Sequence, residues 1–147
     1  MSHTYRIIYQ KPGECAVFIV PAPNYVGTKE ALIKQAVPDG VEYFEVHQSI
    51  IPGDDYFREA WDIKDKKIEI NMEKAKKIHI DNLRSKRKEI FTSLDTDYLK
   101  SIEENDVAKT SEISKKKKQL RDMPLDPVFS SAQNADHLKS LIPDYMK

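Results

Sequence analysis

Asn71–Leu94, NMEKAKKIHIDNLRSKRKEIFTSL, is the stretch that decides the fold. It contains no Gly or Pro, and Asn71 stands where a helix N-cap belongs, because its side chain can accept from the first free backbone N–H groups. At 100° per residue, Met72, Ala75, His79, Leu83, Ile90 and Leu94 share one stripe, which Ile80 and Phe91 widen. Lys77, Asp81, Arg84 and Lys88 take the opposite face. Lys86 and Arg87 flank the apolar stripe between Leu83 and Ile90, so the seam it forms is not wholly dry. The spacing predicts one long amphipathic helix.

Downstream the pattern stays helical. Asp95 or Thr96 is placed to cap a short second helix, Asp97–Glu104, and Asn105-Asp106 to start a third that runs to about Arg121. The third is poor in apolar residues: Val107, Ala108, Ile113 and Leu120. Pro124 and Pro127 stop it, and Asp136–Ile142 is long enough for one or two further turns. Two antiparallel long helices joined by a short one fit these lengths.

Upstream the period changes to two. Thr4–Gln10 and Cys15–Val20 are rich in β-branched and aromatic residues, and Lys11-Pro12-Gly13-Glu14 between them has turn chemistry, which predicts a hairpin. Thr28 is placed to cap a helix over Lys29–Ala36, which Pro38-Asp39-Gly40 ends. Val41–His47 alternates as a strand, with Val41, Tyr43 and Val46 expected inward. In Ile51–Ile70, Pro52-Gly53-Asp54-Asp55 is a turn, and an aspartate there caps a single helical turn through Tyr56, Phe57 and Ala60. Lys64–Lys67 is a charged turn before a short strand at Ile68–Ile70. The fold class expected is α+β: a small ββαβ-like N-terminal domain with an aromatic connector (1–69), an α-helical hairpin (70–123) and a tail with a short helix (124–147).

Composition narrows the function. The 147 residues carry 24 basic and 24 acidic side chains, are 39% hydrophobic and 33% charged, and have a mean hydropathy of −0.63. No apolar run approaches the roughly 20 residues that span a bilayer, and no basic, then apolar, secretory leader opens the chain, so a soluble intracellular protein is expected. Cys15, the only cysteine, excludes a disulfide scaffold. Charge is unevenly placed: residues 1–69 are net −3, 70–123 net +4 and 124–147 net −1. Nine of the 13 aromatic residues precede position 70, which points to an aromatic front core and a leaner helical rear.

Reactive constellations are not evident. His3, His47, His79 and His137 are scattered and show no metal-ligand spacing, and Cys15 sits in an expected strand with no lysine or helix N-terminus evident beside it to activate it. There is no GxSxG elbow, and four glycines supply no phosphate-cradling loop. Asp54-Asp55 with Arg58-Glu59 reads as capping and solvated charge. The expectation is a non-enzymatic protein without cofactor or metal. Lys115, Lys116, Lys117 and Lys118 form the one basic run, but four consecutive lysines wrap around a helix. Glu103, Glu104, Glu112 and Asp122 lie nearby, and no aromatic residue interleaves for base stacking, so nucleic-acid binding is the second expectation.

The order of short motifs is informative. Phe57-Arg58-Glu59-Ala60-Trp61 precedes Lys74-Ala75-Lys76-Lys77-Ile78-His79, then Leu83-Arg84-Ser85-Lys86-Arg87 and Leu94-Asp95, and last Lys118-Gln119-Leu120-Arg121-Asp122. This resembles a group of small bacteriophage and prophage proteins with an "FR.AW" motif, a "KA..IH...LR..R" helix and a late "LRD" or "LRD.P" element. The likeness covers roughly residues 50–142. In its rear half the chain also looks similar to phage tail-fibre assembly chaperones. The resemblance implies a virion or assembly protein near the tail, found in the virion or the infected-host cytoplasm. Its partners would be other phage structural proteins or a second copy of itself, with no membrane partner. Phe57, Trp61, Arg87, Ile90, Phe91 and Leu94 are the candidate contact residues.

Overall fold

The computed structural model describes residues 3–147 and divides between Ala75 and Lys76 into two units. It is α+β, with small antiparallel sheets before long helices.

The first unit is built on β1 (Tyr5–Tyr9), β2 (Val17–Ile19), α1 (Lys29–Ala36) and β3 (Tyr43–His47), with sheet order β2-β1-β3. Both pairings are antiparallel; Ile8 faces Phe18 on one side and Phe44 on the other. Successive strand residues point to opposite faces, so Ile7 and Ile8 are both fully buried only because the central strand is covered on both sides. Thr28 Oγ1 caps α1 by accepting from Ala31 N at 3.1 Å. Lys29 then lies 4.7 Å from the Tyr5 ring centre and 2.6 Å from Glu45, placing α1 over the Tyr5–Ile7 face. In β3 it is Phe44 and Val46 that turn inward, while Tyr43 is exposed. The expected burial of Tyr43 is thus corrected by the strand's own alternation.

The connector folds as a second small sheet, β4 (Trp61–Lys64) with β5 (Lys67–Ile70). A 3-10 turn at Arg58–Ala60 leads into it, and Asp54 Oδ1 accepts from Tyr56 N at 2.9 Å. The two-residue turn Asp65-Lys66 has φ of 51° and 62°, the type I′ geometry that suits the twist of a hairpin. Ala16 N donates to Trp61 O at 2.7 Å, and Phe18 lies 6.0 Å from the Trp61 ring. Asp62 gathers donors from three elements: Gln10 Nε2 at 2.8 Å, Asn71 Nδ2 at 3.0 Å and Lys74 Nζ at 3.0 Å. Burial opposes its charge, but these three hydrogen bonds hold its carboxyl below the ordinary value of 3.8.

The helix α2 (Met72–Glu103) begins as expected: Asn71 Oδ1 accepts from Glu73 N at 3.1 Å and Lys74 N at 3.2 Å. It then runs 32 residues without the expected break at Asp95-Thr96. The polar groups there are satisfied inside the helix. Thr92 Oγ1 donates to Lys88 O at 3.0 Å and Thr96 Oγ1 to Thr92 O at 3.2 Å, which removes the need for a cap.

In the second unit the long helix ends in a tight turn and returns as α3 (Val107–Asp122). Asn105, at φ 53°, donates to Ile102 O at 3.0 Å while Asp106 N donates to Ser101 O at 2.9 Å. That pair of bonds around a left-handed residue is a Schellman motif. Asp106 then caps α3 by accepting from Lys109 N at 3.1 Å. Fully buried Ser101 meets Thr110 at 2.7 Å and fixes the register of the hairpin. Leu83, Ile113, Leu120, Met123, Phe129 and Leu138 form the core, with short 3-10 segments and α4 (Ala135–Ser140) supplying its last members. Buried His79 donates from Nε2 to Leu141 O at 2.7 Å and meets the Phe129 ring edge-on.

Candidate functional site

The candidate contact residues are divided between the two units. Phe57 and Trp61 are only 4% and 1% exposed and belong to the first unit's core. The Arg58 guanidinium stacks 4.8 Å from Phe18 and 5.4 Å from Trp61, sealing the cluster from outside. These two aromatics are therefore packing groups, and expecting them at a partner surface is corrected by their burial.

Arg87, Ile90, Phe91 and Leu94 lie in the second unit. Ile90, Phe91 and Leu94 are half-buried; Ile90 and Leu94 continue the stripe of Leu83 along α2. Arg87 donates from Nη1 to Leu120 O at 2.8 Å and lies 5.9 Å from the Phe91 ring. Leu120 is in the last turn of α3, where its carbonyl also accepts from Met123 N and the helix dipole favours a cation. Arg87 thus ties one helix to the end of the other.

The lysine run is split by helix geometry. Lys117 turns into the hairpin, 2.6 Å from Asp95 and 5.2 Å from the Tyr98 ring centre. Lys116 pairs with Glu112 at 3.5 Å. Lys115 and Lys118 make no ion pair or hydrogen bond among the described residues, and both edge an open groove of about 770 Å³. Leu125, Pro127 and Tyr145 give that groove its apolar floor. Tyr145 donates to Asp126 Oδ2 at 2.7 Å, and Asp126 Oδ1 accepts from Val128 N at 3.0 Å, so the carboxylate is committed on both sides. Burial and that hydrogen bond push the Tyr145 phenol well above its ordinary range.

Sequence reading missed the surface apolar residues. Leu99, Ile102 and Val107, at the hairpin tip, are 62%, 49% and 80% exposed, and Leu125 at the groove is 84% exposed. The signal was available for Leu99: it stands roughly 160° from Leu83 at 100° per residue, on the face opposite the buried stripe.

Among the described residues, no group of three or more His, Cys, Asp or Glu side chains is arranged to hold a metal ion. Among the described residues, no helix is long and apolar enough to cross a membrane. No family model, no curated protein and no solved structure matches this chain.

Proposed function

We propose that the chain is a bacteriophage structural or assembly protein that works through protein–protein contact, in or near the tail. The observation that carries the contact reading is the set of exposed apolar side chains Leu99, Ile102, Val107 and Leu125, in a chain that is one-third charged. Large apolar groups left in water at the end of a hairpin and beside a groove gain from being covered. The phage reading draws its support from the short-motif resemblance across residues 50–142. No catalytic role, cofactor or metal enters it. Mass spectrometry of purified particles from a strain encoding the chain is the test. Stoichiometric presence makes it a structural component, and a requirement for assembly without presence makes it a chaperone. A protein both absent from particles and dispensable for making them overturns the reading.

Nucleic-acid binding is the second reading. Its support is the pair Lys115 and Lys118, exposed on one side of α3 with their charges uncommitted among the described residues.

A further inference from the structure

The three-stranded sheet of the first unit has one edge covered and one edge open. Its order is β2-β1-β3, so β2 and β3 are the outer strands. The connector lies against β2: Ala16 N donates to Trp61 O at 2.7 Å, and Arg58 stacks on Phe18. On the β3 side, Gln48 N donates to Thr4 O at 2.7 Å, which continues the register in which Tyr5 faces His47 and fixes the phase of the ladder. Phe44 and Val46 therefore turn their backbone groups toward β1, and Tyr43, Glu45 and His47 turn theirs outward. Those outward N–H and C=O groups have no hydrogen-bond partner among the described residues.

The devices that blunt an open edge are missing from β3. Its pairing with β1 runs without a bulge, and the strand holds no Pro or Lys. Glu45, at its centre, is neutralised by Lys29 at 2.6 Å. Tyr43 is 46% exposed. On the opposite face Phe44, with Ile63, walls an open groove of about 530 Å³. Lys11 and Lys66 in that groove are balanced by Glu42 and Asp65, so charge does not select its occupant. Selection falls to backbone pairing and apolar shape.

We propose that β3 is a self-association edge, on which two copies of the chain pair antiparallel and join their sheets into one. Outward residues must meet outward residues, so the register changes in steps of two. With Glu45 on the two-fold axis, two carboxylates face each other. With Val46 there, Phe44 stands opposite Gln48, where the chain has already turned into a 3-10 segment. With Phe44 on the axis neither conflict arises. Tyr43 of each copy then exchanges backbone bonds with the other copy's Glu45, and the two Phe44 side chains meet as a close, non-hydrogen-bonded pair. Val46 of each copy lies opposite the other's Glu42, so Phe44 and Val46 of the incoming strand cover the groove. Any extended chain would satisfy the backbone row. A second copy also supplies the two apolar side chains, and its two-fold contact closes on itself. The inference rests on the protein-contact reading and adds to it a contact within the first unit.

Disulfide trapping reads the register. Tyr43→Cys, Phe44→Cys and Glu45→Cys are each made in a Cys15→Ser background of the full chain. They are oxidised at up to about 1 mM protein, because so short a contact is weak. Residues paired on the axis have Cα atoms about 4.5 Å apart, within disulfide reach. Position 43 or 45 is offset by two residues from its own counterpart, beyond the limit of about 7 Å. Phe44→Cys is therefore expected to cross-link roughly tenfold faster than the other two. Sedimentation velocity supplies a second measurement. The unmodified chain is expected to dimerise as its concentration rises, and Glu45→Pro to stay monomeric. The Glu45 N–H points away from β1, so proline there removes no bond of the existing ladder, and an unchanged circular dichroism spectrum checks the fold. If that variant does not fold, the cysteine series still decides. A monomer at every concentration, equal trapping at all three positions, fastest trapping at 43 or 45, or a dimer that a folded Glu45→Pro keeps overturns the pairing. A monomer that is still incorporated into particles overturns it while leaving the protein-contact reading intact.

Discussion

Lys117 Nζ sits 2.6 Å from the Asp95 carboxylate and 5.2 Å from the Tyr98 ring centre, so the third lysine of a basic run is an internal strut of the hairpin. Asp95 is largely exposed, which limits the energy of the pair. A double-mutant cycle with Asp95→Ala and Lys117→Ala, followed by urea unfolding, is expected to give a coupling of about 0.2–1 kcal/mol. Lys117→Met should cost little, since its stem already packs in the seam.

The same geometry sets the response to nucleic acid. Four phosphate contacts would give a log–log salt slope near −3.6, at about −0.9 per contact. Of the four lysines in the run, only Lys115 and Lys118 have uncommitted charges among the described residues, so a titration against duplex DNA should show weak binding with a slope of about −2. Sub-micromolar affinity with the steeper slope, lost when all four lysines become alanine, would move the function to nucleic acid.

Phe57→Ala and Trp61→Ala should each destabilise the first unit by about 3–5 kcal/mol, as other large-to-small core changes do. Trp61 Nε1 is the one buried side-chain polar atom among the described residues with no hydrogen-bond partner. Trp61→Phe therefore removes no bond and should cost under about 1.5 kcal/mol. A thermal melt that ranks the two Trp61 variants equally would contradict this packing.

Asp62 gives the first unit an acid limit. Its carboxyl titrates below the ordinary 3.8 in the folded chain, so folding favours the charged form. That stability is fully present above about pH 4 and is lost as pH falls through the folded value. The melting-temperature gap between the wild type and Asp62→Asn is expected to be constant from pH 7 to about 5 and to close under stronger acid. A gap that persists at pH 2 would mean that the charge contributes nothing.

Lys66 holds φ 62° in a turn that suits Gly or Asn. Lys66→Gly should stabilise the β4–β5 hairpin by about 1 kcal/mol, read as a rise in melting temperature.

Much of this architecture was legible in the residues. The caps at Thr28 and Asn71, the bounds of α1 and the three strands of the first sheet follow from turn chemistry and period-two patterning. The β4 strand was hidden because Asp65-Lys66 lacks the Asn-Gly or Asp-Gly signature of its turn type. The unbroken α2 was hidden because Thr92 and Thr96 can either cap or bond back into a helix, and only the surrounding structure decides. The contact surface was least visible. Apolar residues suggest burial, and although the place of Leu99 opposite the α2 stripe marks it as outward, the pattern gives no sign that Val107 faces water until the buried side of α3 is known.

The separation between partners sets an order of assembly in the second unit. Ser101 and Thr110, nine residues apart, close the hairpin locally, whereas His79 must wait for Leu141, sixty-two residues away. Short loops close faster and at lower entropic cost than long ones. The two helices can therefore fold back on each other as a scaffold, and the segment carrying Phe129 and Leu138 then docks onto it to complete the core. Refolding followed at a probe in each place should show two phases, the tip first.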